Sequence, residues 1–524
     1  MKSLLNLVLC LVVSLVCSRA GTAAERPNII LIVCDDMGFS DIGCYGSEIE
    51  TPNLDRLARN GLRLRDFHNN AKCTETRASL LTGLWHHQTN QLKKPGNVTL
   101  AEVLGQAGYR TMMSGKWHLS GHPMDRGFDR YFGFLSGAIN YFTGKDWGSG
   151  ENLMRLDRDE YQTPSDFYST DAFTDYAIEF LNEARQQQDG ESSQPYFLYL
   201  AHNAPHFPLQ APAEAIAKYR GRYDAGWDKL RAQRYERQQQ LGLIDRTWPL
   251  SKRDPNVEPF DNLTPSQQDF LIPMMEVYAA MVDRLDQNIG RLIDDLERHD
   301  ELDNTLIIFF SDNGACPYQR LKSEGVPPGP VESDVAYDAR WAHFCNTPLR
   351  LYKQYAHEGG TLSPMIVHWP NRITRIGGFS DATHHIVDLM PTFVELAGGK
   401  YAPSGSAKET ETLTLPMEGI SMLGTFDGSP QQSRPPIFWE FSANHAVRDG
   451  QWKLVAERGK PWELYDLSRD RTETQDLSLS KPAIVTRMAE AYDQWANRVG
   501  AKSHTQSETA KPSRQSQQFD LSSR

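Results

Sequence analysis

Asn28-Ile-Ile-Leu-Ile-Val-Cys34 runs directly into Asp35-Asp36. A continuous apolar, β-branched run of this length reads as a strand buried on both faces, as in the middle of a parallel sheet. In open α/β sheets, ligands gather outside the carboxyl ends of such strands, which is where the two carboxylates fall. The pattern recurs along the chain. Tyr196-Phe-Leu-Tyr-Leu-Ala201 precedes His202-Asn-Ala-Pro-His206, and Thr305-Leu-Ile-Ile-Phe-Phe310 precedes Ser311-Asp312-Asn313-Gly314. A short strand from Thr111 to Ser114 runs into Gly115-Lys116-Trp117-His118, and Met365-Ile-Val-His368 is predicted as a fourth buried strand.

Helix signals separate these strands. Thr51-Pro52 caps a helix reaching about Asn60, and Thr99 caps one that runs to Gly108. Residues 170–187 read as a third helix. The longest signal spans Pro265 to His299, where Met274, Tyr278, Met281, Leu285, Ile289, Leu292 and Leu296 form one apolar stripe facing a sheet. The alternation predicts an α/β fold, with a large, mostly parallel sheet sandwiched by helices. After Lys400 the pattern changes. Ser404 to Thr412 reads as a polar surface loop. Ile437–Phe441, then Ala446-Val-Arg448 and Trp452-Lys-Leu-Val455 around the turn pair Asp449-Gly450, predict a small C-terminal antiparallel sheet. A helix from Lys481 to Val499 closes it. The expected organisation is a catalytic domain over residues 25–400, an α+β subdomain over 401–500, and a Ser/Gln-rich disordered tail over 501–524. Arg220 to Pro259, charged and Gln-rich, is expected as an insertion near a substrate mouth.

The chain has 524 residues. Lys2, the apolar run Leu4–Val16 and the small residues Thr22-Ala-Ala24 read as a signal peptide over residues 1–24, with cleavage after Ala20 as an alternative. The mature protein is therefore expected to be exported, periplasmic or secreted. No other apolar run is long enough to span a bilayer, so an integral membrane protein is not expected. Five cysteines remain, Cys34, Cys44, Cys73, Cys316 and Cys345, too few and too scattered for a disulfide framework and compatible with one bridge at most. No Cys/His cluster suggests zinc. Asn97-Val-Thr99 and Asn262-Leu-Thr264 match glycosylation sequons. A formal net charge of −12 argues against broad electrostatic capture of nucleic acid. An anionic substrate would need cations gathered locally.

Cys73-Thr-Glu-Thr-Arg77, continuing to Gly83, places a nucleophile and a permanent cation on one face where a helix begins. A helix N-terminus adds N–H donors and partial positive charge, which suit an anion. Asp35, Asp36, Asp312 and Asn313 form a hard, all-oxygen set, suited to Ca²⁺ or Mg²⁺ and poor for zinc. Arg77, Lys116, His118, His206 and Lys353, the last just before Glu358-Gly-Gly360, are expected at the same sheet edge. They would offset the carboxylates and leave a cationic pocket for a tetrahedral oxyanion.

With these motifs in this order and spacing, and with Arg448-Asp-Gly-Gln-Trp-Lys-Leu454 after them, the chain resembles the type I sulfatase family of the alkaline-phosphatase-like superfamily. The resemblance runs from Arg26 to about Val499. It implies that Cys73 is oxidised to formylglycine by a formylglycine-generating enzyme, and that the hydrated aldehyde is the nucleophile. It further implies that Asp35, Asp36, Asp312, Asn313 and modified Cys73 bind Ca²⁺, with Mg²⁺ as the lesser alternative. Arg77 and Lys116 would support the diol, His118 would deprotonate it, and His206 and Lys353 would bind sulfate and protonate the leaving alcohol. His202 matches no catalytic position. Glu75 departs from the family motif, which usually has Pro or Ala there. The implied reaction is sulfate-ester hydrolysis, on a sulfated small molecule or glycan. The alternatives are a phosphomonoester or phosphonate hydrolase of the same superfamily, and an inactive binder of sulfated glycans. A cysteine phosphatase loop needs five residues between Cys and Arg, and this chain has three. Trp147, Trp227, Trp248 and Trp341 are candidates for stacking on sugar rings, with packing as the favoured reading.

Overall fold

The computed structural model describes residues 26–186, 194–402, 414–504, 518, 519 and 521. The predicted signal peptide, the loop 404–412 and most of the expected disordered tail lie outside the described residues. Within that tail, Phe519 and Leu521 depart from the expectation. Both are buried, Phe519 edge-to-face on Phe270, with the Leu521 carbonyl accepting from Gln267 at 2.9 Å.

The apolar runs become the centre of an eleven-stranded mixed sheet. Asn28–Cys34 lies in the middle, parallel to Tyr196–Ala201 on one side and to Thr305–Ser311 on the other. Arg110–Lys116 and Arg130–Phe134 extend the parallel set beyond Tyr196–Ala201. Leu362–His368 does not conform. It runs antiparallel to Thr305–Ser311 and to Leu62–His68, so the sheet is parallel at its core and mixed at its flank. Hydropathy could not show this, because a strand buried on both faces is apolar in either direction.

Alternate side chains of the central strand feed two cores. Ile30 and Ile32 face the long helix Pro265–Arg298, which presents Met274, Tyr278, Met281 and Leu285. Ile29, Leu31 and Val33 face the opposite layer, which continues into the C-terminal subdomain. There Ile437–Phe441, Asn444–Asp449, Trp452–Ala456 and Glu463–Asp466 form an antiparallel sheet backed by the helix Pro482–Val499. Its turn motif has a defined job. Arg448 donates two hydrogen bonds to Asp66, at 2.5 and 2.7 Å, and Lys453 reaches Glu358 at 2.6 Å and Glu473 at 2.9 Å. All of these groups are buried.

The segment expected near a substrate mouth folds instead around the helix Gly226–Gln240. Arg234 from that helix is buried and pairs with Asp41 at 2.7 Å and Glu48 at 2.8 Å, fastening the chain that follows Asp36. The five cysteines among the described residues are all free and buried.

Candidate active site

Strand direction explains how distant residues meet. The parallel strands end at one edge, where Asp35 and Asp36 follow Cys34, Asp312 and Asn313 follow Ser311, Lys116 ends its strand and His206 lies just beyond Ala201. Leu62–His68 runs the same way and leads through Asn69–Lys72 into the helix Cys73–Thr82. Leu362–His368 runs oppositely, so its amino end lies at this edge, and the loop before it carries Lys353. All the candidate residues from the sequence are thereby brought together, and all but His118 are buried. His118 is partly buried.

The pairing is specific. Arg77 donates to Asp312 Oδ2 at 2.8 Å and to the Lys116 carbonyl at 3.0 Å. Lys116 Nζ bonds Asp35 Oδ2, and Lys353 Nζ bonds Asp36 Oδ1. Asn313 Nδ2 donates to Asp36 Oδ1 at 2.7 Å. Thr76 Oγ1 ties the helix opened by Cys73 to the Asp312 carbonyl at 2.7 Å. Asp36 and His118 both adopt left-handed backbone, with φ of 66° and 55°. Non-glycine residues hold that conformation only where the surroundings over-determine it, at a cost of roughly 1–3 kcal/mol each. Gly314 is required by close approach, since a Cβ there would overlap the Gly359 carbonyl oxygen.

Among the candidate metal ligands, three buried oxygens lack any hydrogen-bond partner: Asp35 Oδ1, Asp36 Oδ2 and Asn313 Oδ1. Orphaned buried acceptors are costly, and together they suit a hard divalent cation. The lysines bond the other oxygen of each carboxylate, leaving these free. His206 Nε2 stands 3.4 Å from Asp36 Oδ2, while its Nδ1 is engaged by the Phe207 carbonyl at 2.6 Å. A neutral His206 donates from Nδ1 and so turns a lone pair toward the carboxylate, an arrangement that needs a proton or cation between them.

Burial alone would raise the Cys73 thiol, but Lys116, Lys353 and Lys72 together hold it below the ordinary cysteine range. Burial and the neighbouring Lys116 and Arg77 push His118 well below the usual imidazole range. Burial likewise lowers His206, to about 4. Both rings are therefore neutral near pH 7 and available as proton acceptors.

Cys73, His118 and His206 line a cavity of about 880 Å³. Lys72, Tyr318, Arg320, Lys322 and Trp147 also line it, and sequence reasoning singled out only the last. Lys72 had one signal, adjacency to Cys73, but a lone lysine reads as a solvated group. Tyr318 to Lys322 sit in a stretch without periodicity. Trp227, Trp248 and Trp341 are packing residues, whereas Trp147 is 38% exposed. No residue of 220–259 lines the cavity. Glu75 does not line it either. It borders a separate hollow with His86 and Lys94, and burial lifts its carboxyl to about 7. His202 is buried apart from the cluster, beside Phe173. A second close group, Asp66, His68 and Glu358, is neutralised by Arg448, Arg471 and Lys453 and so forms an ion-pair network.

Comparison with known proteins agrees with this geometry. A family model described as Sulfatase matches residues 27–399. An uncharacterised sulfatase of Schizosaccharomyces pombe is 36% identical over 526 residues, covering 90% of this chain and 93% of that protein. An arylsulfatase of Klebsiella aerogenes is 34% identical over 450 residues, covering 78% of this chain and 94% of that protein. A crystal structure described as Ps i-CgsB in complex with k-i-k-neocarrahexaose superposes with a TM-score of 0.66 at 28% identity, covering 90% of this chain and 93% of the other. The chain belongs to the sulfatase family and is a sulfuric ester hydrolase.

Proposed function

We propose that this protein hydrolyses sulfate esters on sulfated carbohydrates, with residue 73 in its formylglycine form and Ca²⁺ held by Asp35, Asp36, Asp312 and Asn313. One observation carries the reading. Cys73 lines the cavity and stands among three lysines, two of which bond the carboxylates of Asp35 and Asp36 and leave one oxygen of each without a hydrogen-bond partner. The hydrated aldehyde supplies two hydroxyls on one carbon, one to attack sulfur and one through which sulfate is released, where serine would offer only the first. A divalent cation supplies Lewis acidity toward the sulfate oxygens, and Mg²⁺ is the alternative at the same ligands.

The chain's own groups do the rest. Arg77, locked by Asp312 and the Lys116 carbonyl, and Lys116 itself keep positive charge fixed beside residue 73. His118 Nε2 lies 3.3 Å from the Thr74 hydroxyl, next to residue 73, and as a neutral base it takes the hydroxyl proton. His206 and Lys353 both stand against the Asp36 carboxylate and orient the sulfate, and the Lys353 ammonium delivers a proton to the departing alcohol oxygen. Cys73 is buried within a helix, so a maturing enzyme that reads an extended peptide would act before folding. The leader over residues 1–24 supports export. The volume of the cavity and the exposed Trp147 support a carbohydrate substrate, as does the neocarrahexaose bound by the structural relative.

The test combines mass spectrometry of the peptide carrying residue 73 with parallel release assays on an aryl sulfate and an aryl phosphate. Aldehyde or its hydrate, with sulfate preferred, is expected. Intact thiol without activity supports the glycan-binder alternative, and preference for phosphate supports the phosphoester hydrolase. Cys73→Ala should lower turnover by on the order of 10⁴-fold or more while the fold survives.

A further inference from the structure

Resting on the sulfatase reading, we propose that the cavity mouth binds a second anionic substituent of the substrate, on the sugar next to the one carrying the scissile sulfate. The preferred substrate is then an oligosaccharide with at least two negative groups, and an isolated monosulfate is a poor one.

Three observations point there. The cavity, about 880 Å³, lies toward the upper end of the roughly 300–1,000 Å³ typical of small-molecule sites and continues outward past the reacting groups. At its rim Trp147 is the sole aromatic among the large hydrophobic side chains left exposed in the described residues. The indole is clamped, with the Arg320 guanidinium 4.2 Å from its ring centroid and Phe207 edge-to-face at 5.7 Å. Its backbone N–H bonds the Ala138 carbonyl at 3.2 Å, and Asp146 Oδ1 caps the turn after it through Gly148 N and Ser149 N. An aromatic ring held in place and 38% exposed beside a cavity is a platform for the apolar face of a pyranose ring.

The third observation is how the cations are used. Lys116 and Lys353 are buried and bonded to Asp35 and Asp36, and Arg320 is occupied by Asp334. Lys72, which also lines the cavity without a salt bridge among the described residues, donates to the Tyr318 hydroxyl at 3.2 Å; Lys322 differs from all of these. The same two-stranded ribbon that positions Arg320 leads to it, through its backbone N–H bond to the Asp334 carbonyl at 3.0 Å. Its ammonium lies 5.6 Å from the Trp147 centroid, exposed and with no salt-bridge partner among the described residues. With a net charge of −12 the whole molecule repels a polyanion. An unpaired ammonium beside a sugar platform reverses that locally, within about 8 Å at physiological salt. A neutral extension of the substrate would leave this ammonium unused.

The experiment compares kcat/KM for a monosulfated monosaccharide with that for a disaccharide bearing the same terminal sulfate plus a second sulfate. The ratio of the two cancels any loss of active enzyme. Lys322→Ala is expected to lower the ratio about fivefold, mainly through KM, as suits a partly exposed ion pair. Lys322→Arg should restore it, and raising salt should bring the wild-type ratio toward that of Lys322→Ala. Trp147→Ala should also lower it. A ratio unchanged within about twofold in both Lys322→Ala and Trp147→Ala overturns the proposal. If the wild type releases sulfate from neither sugar, the sulfatase reading fails on its own account. Calorimetry of the disulfated disaccharide on Cys73→Ala, with and without Lys322→Ala, then decides the mouth alone. A Kd about fivefold weaker supports it, and equal Kd values overturn it.

Discussion

Replacing Lys453 by Met is expected to destabilise the protein by about 3–5 kcal/mol at neutral pH. The ammonium lies 2.6 Å from Glu358 and 2.9 Å from Glu473, and all three side chains are fully buried. Met keeps the apolar stem and removes the charge. Glu358 then retains His68 at 3.2 Å and Arg471 at 3.9 Å, and Glu473 retains the Glu358 backbone N–H at 2.9 Å. The cost is large because the carboxylates stay desolvated after their counter-charge is gone. At about 1.4 kcal/mol per tenfold, the folding equilibrium falls by a factor of roughly 10² to 10³·⁵.

The pH dependence has a definite sign. Burial would raise the Glu358 carboxyl, but Lys453 and His68 outweigh it and hold it well below the usual range. In the wild type this stabilisation is fully present above the unfolded carboxyl pKa of about 4.3 and is lost as pH falls through the lower folded value. In Lys453→Met burial dominates, so the folded carboxyl titrates above its unfolded value. The deficit is therefore greatest near neutrality and shrinks as the carboxyl takes up a proton. Urea unfolding followed by tryptophan fluorescence, at about pH 7.5 and about pH 5, measures it for the wild type and Lys453→Met. Adding Glu358→Gln to Lys453→Met should recover part of the loss. A deficit below about 1 kcal/mol, or one that does not shrink toward pH 5, would refute the reasoning.

Chelation of divalent cations should abolish sulfate release, and Ca²⁺ should restore it better than Mg²⁺. In Asp36→Asn, restoration should need at least about tenfold more cation, and equal titration curves would remove Asp36 from the ligand set. The acid limb of kcat/KM should fall well below the ordinary imidazole value of about 6.5, because burial lowers both His118 and His206, the latter to about 4. Loss of activity with a midpoint near 6.5 would contradict neutral rings in the site. Gly314→Ala should cost about 1–3 kcal/mol and at least tenfold in kcat, since the added methyl must displace the Gly359 carbonyl beside Asn313. Wild-type kcat in that variant would mean the two loops adjust independently.

Much of the fold was legible because its signals are local. The run Asn28–Cys34 carries burial on both faces in its composition, the stripe from Met274 to Leu296 carries a helical period, and Asp449-Gly450 carries a hairpin turn. The segment around Gly226–Gln240 was misplaced because its burial rests on Arg234, a charged residue that pairs with Asp41 and Glu48 about 190 positions earlier. Phe519 and Leu521 were missed because two apolar residues in a Ser/Gln-rich stretch show no period.

The sequence by itself determined which chemistry-bearing residues exist and that most of them sit at a strand end or in the first turns of a helix, with Cys73 at the first position of its helix. Tertiary structure alone decided which oxygen each cation takes. Arg77 meets Asp312 across 235 positions and Lys353 meets Asp36 across 317. It also decided that Leu362–His368 runs backwards, which is why Lys353 enters from the loop ahead of that strand. Periodicity and turn chemistry act over a few residues, whereas an ion pair between distant strand ends leaves no local trace. The same limit hid Lys322 beside Trp147, since a surface lysine and a lone tryptophan acquire a shared meaning only when a cavity brings them together.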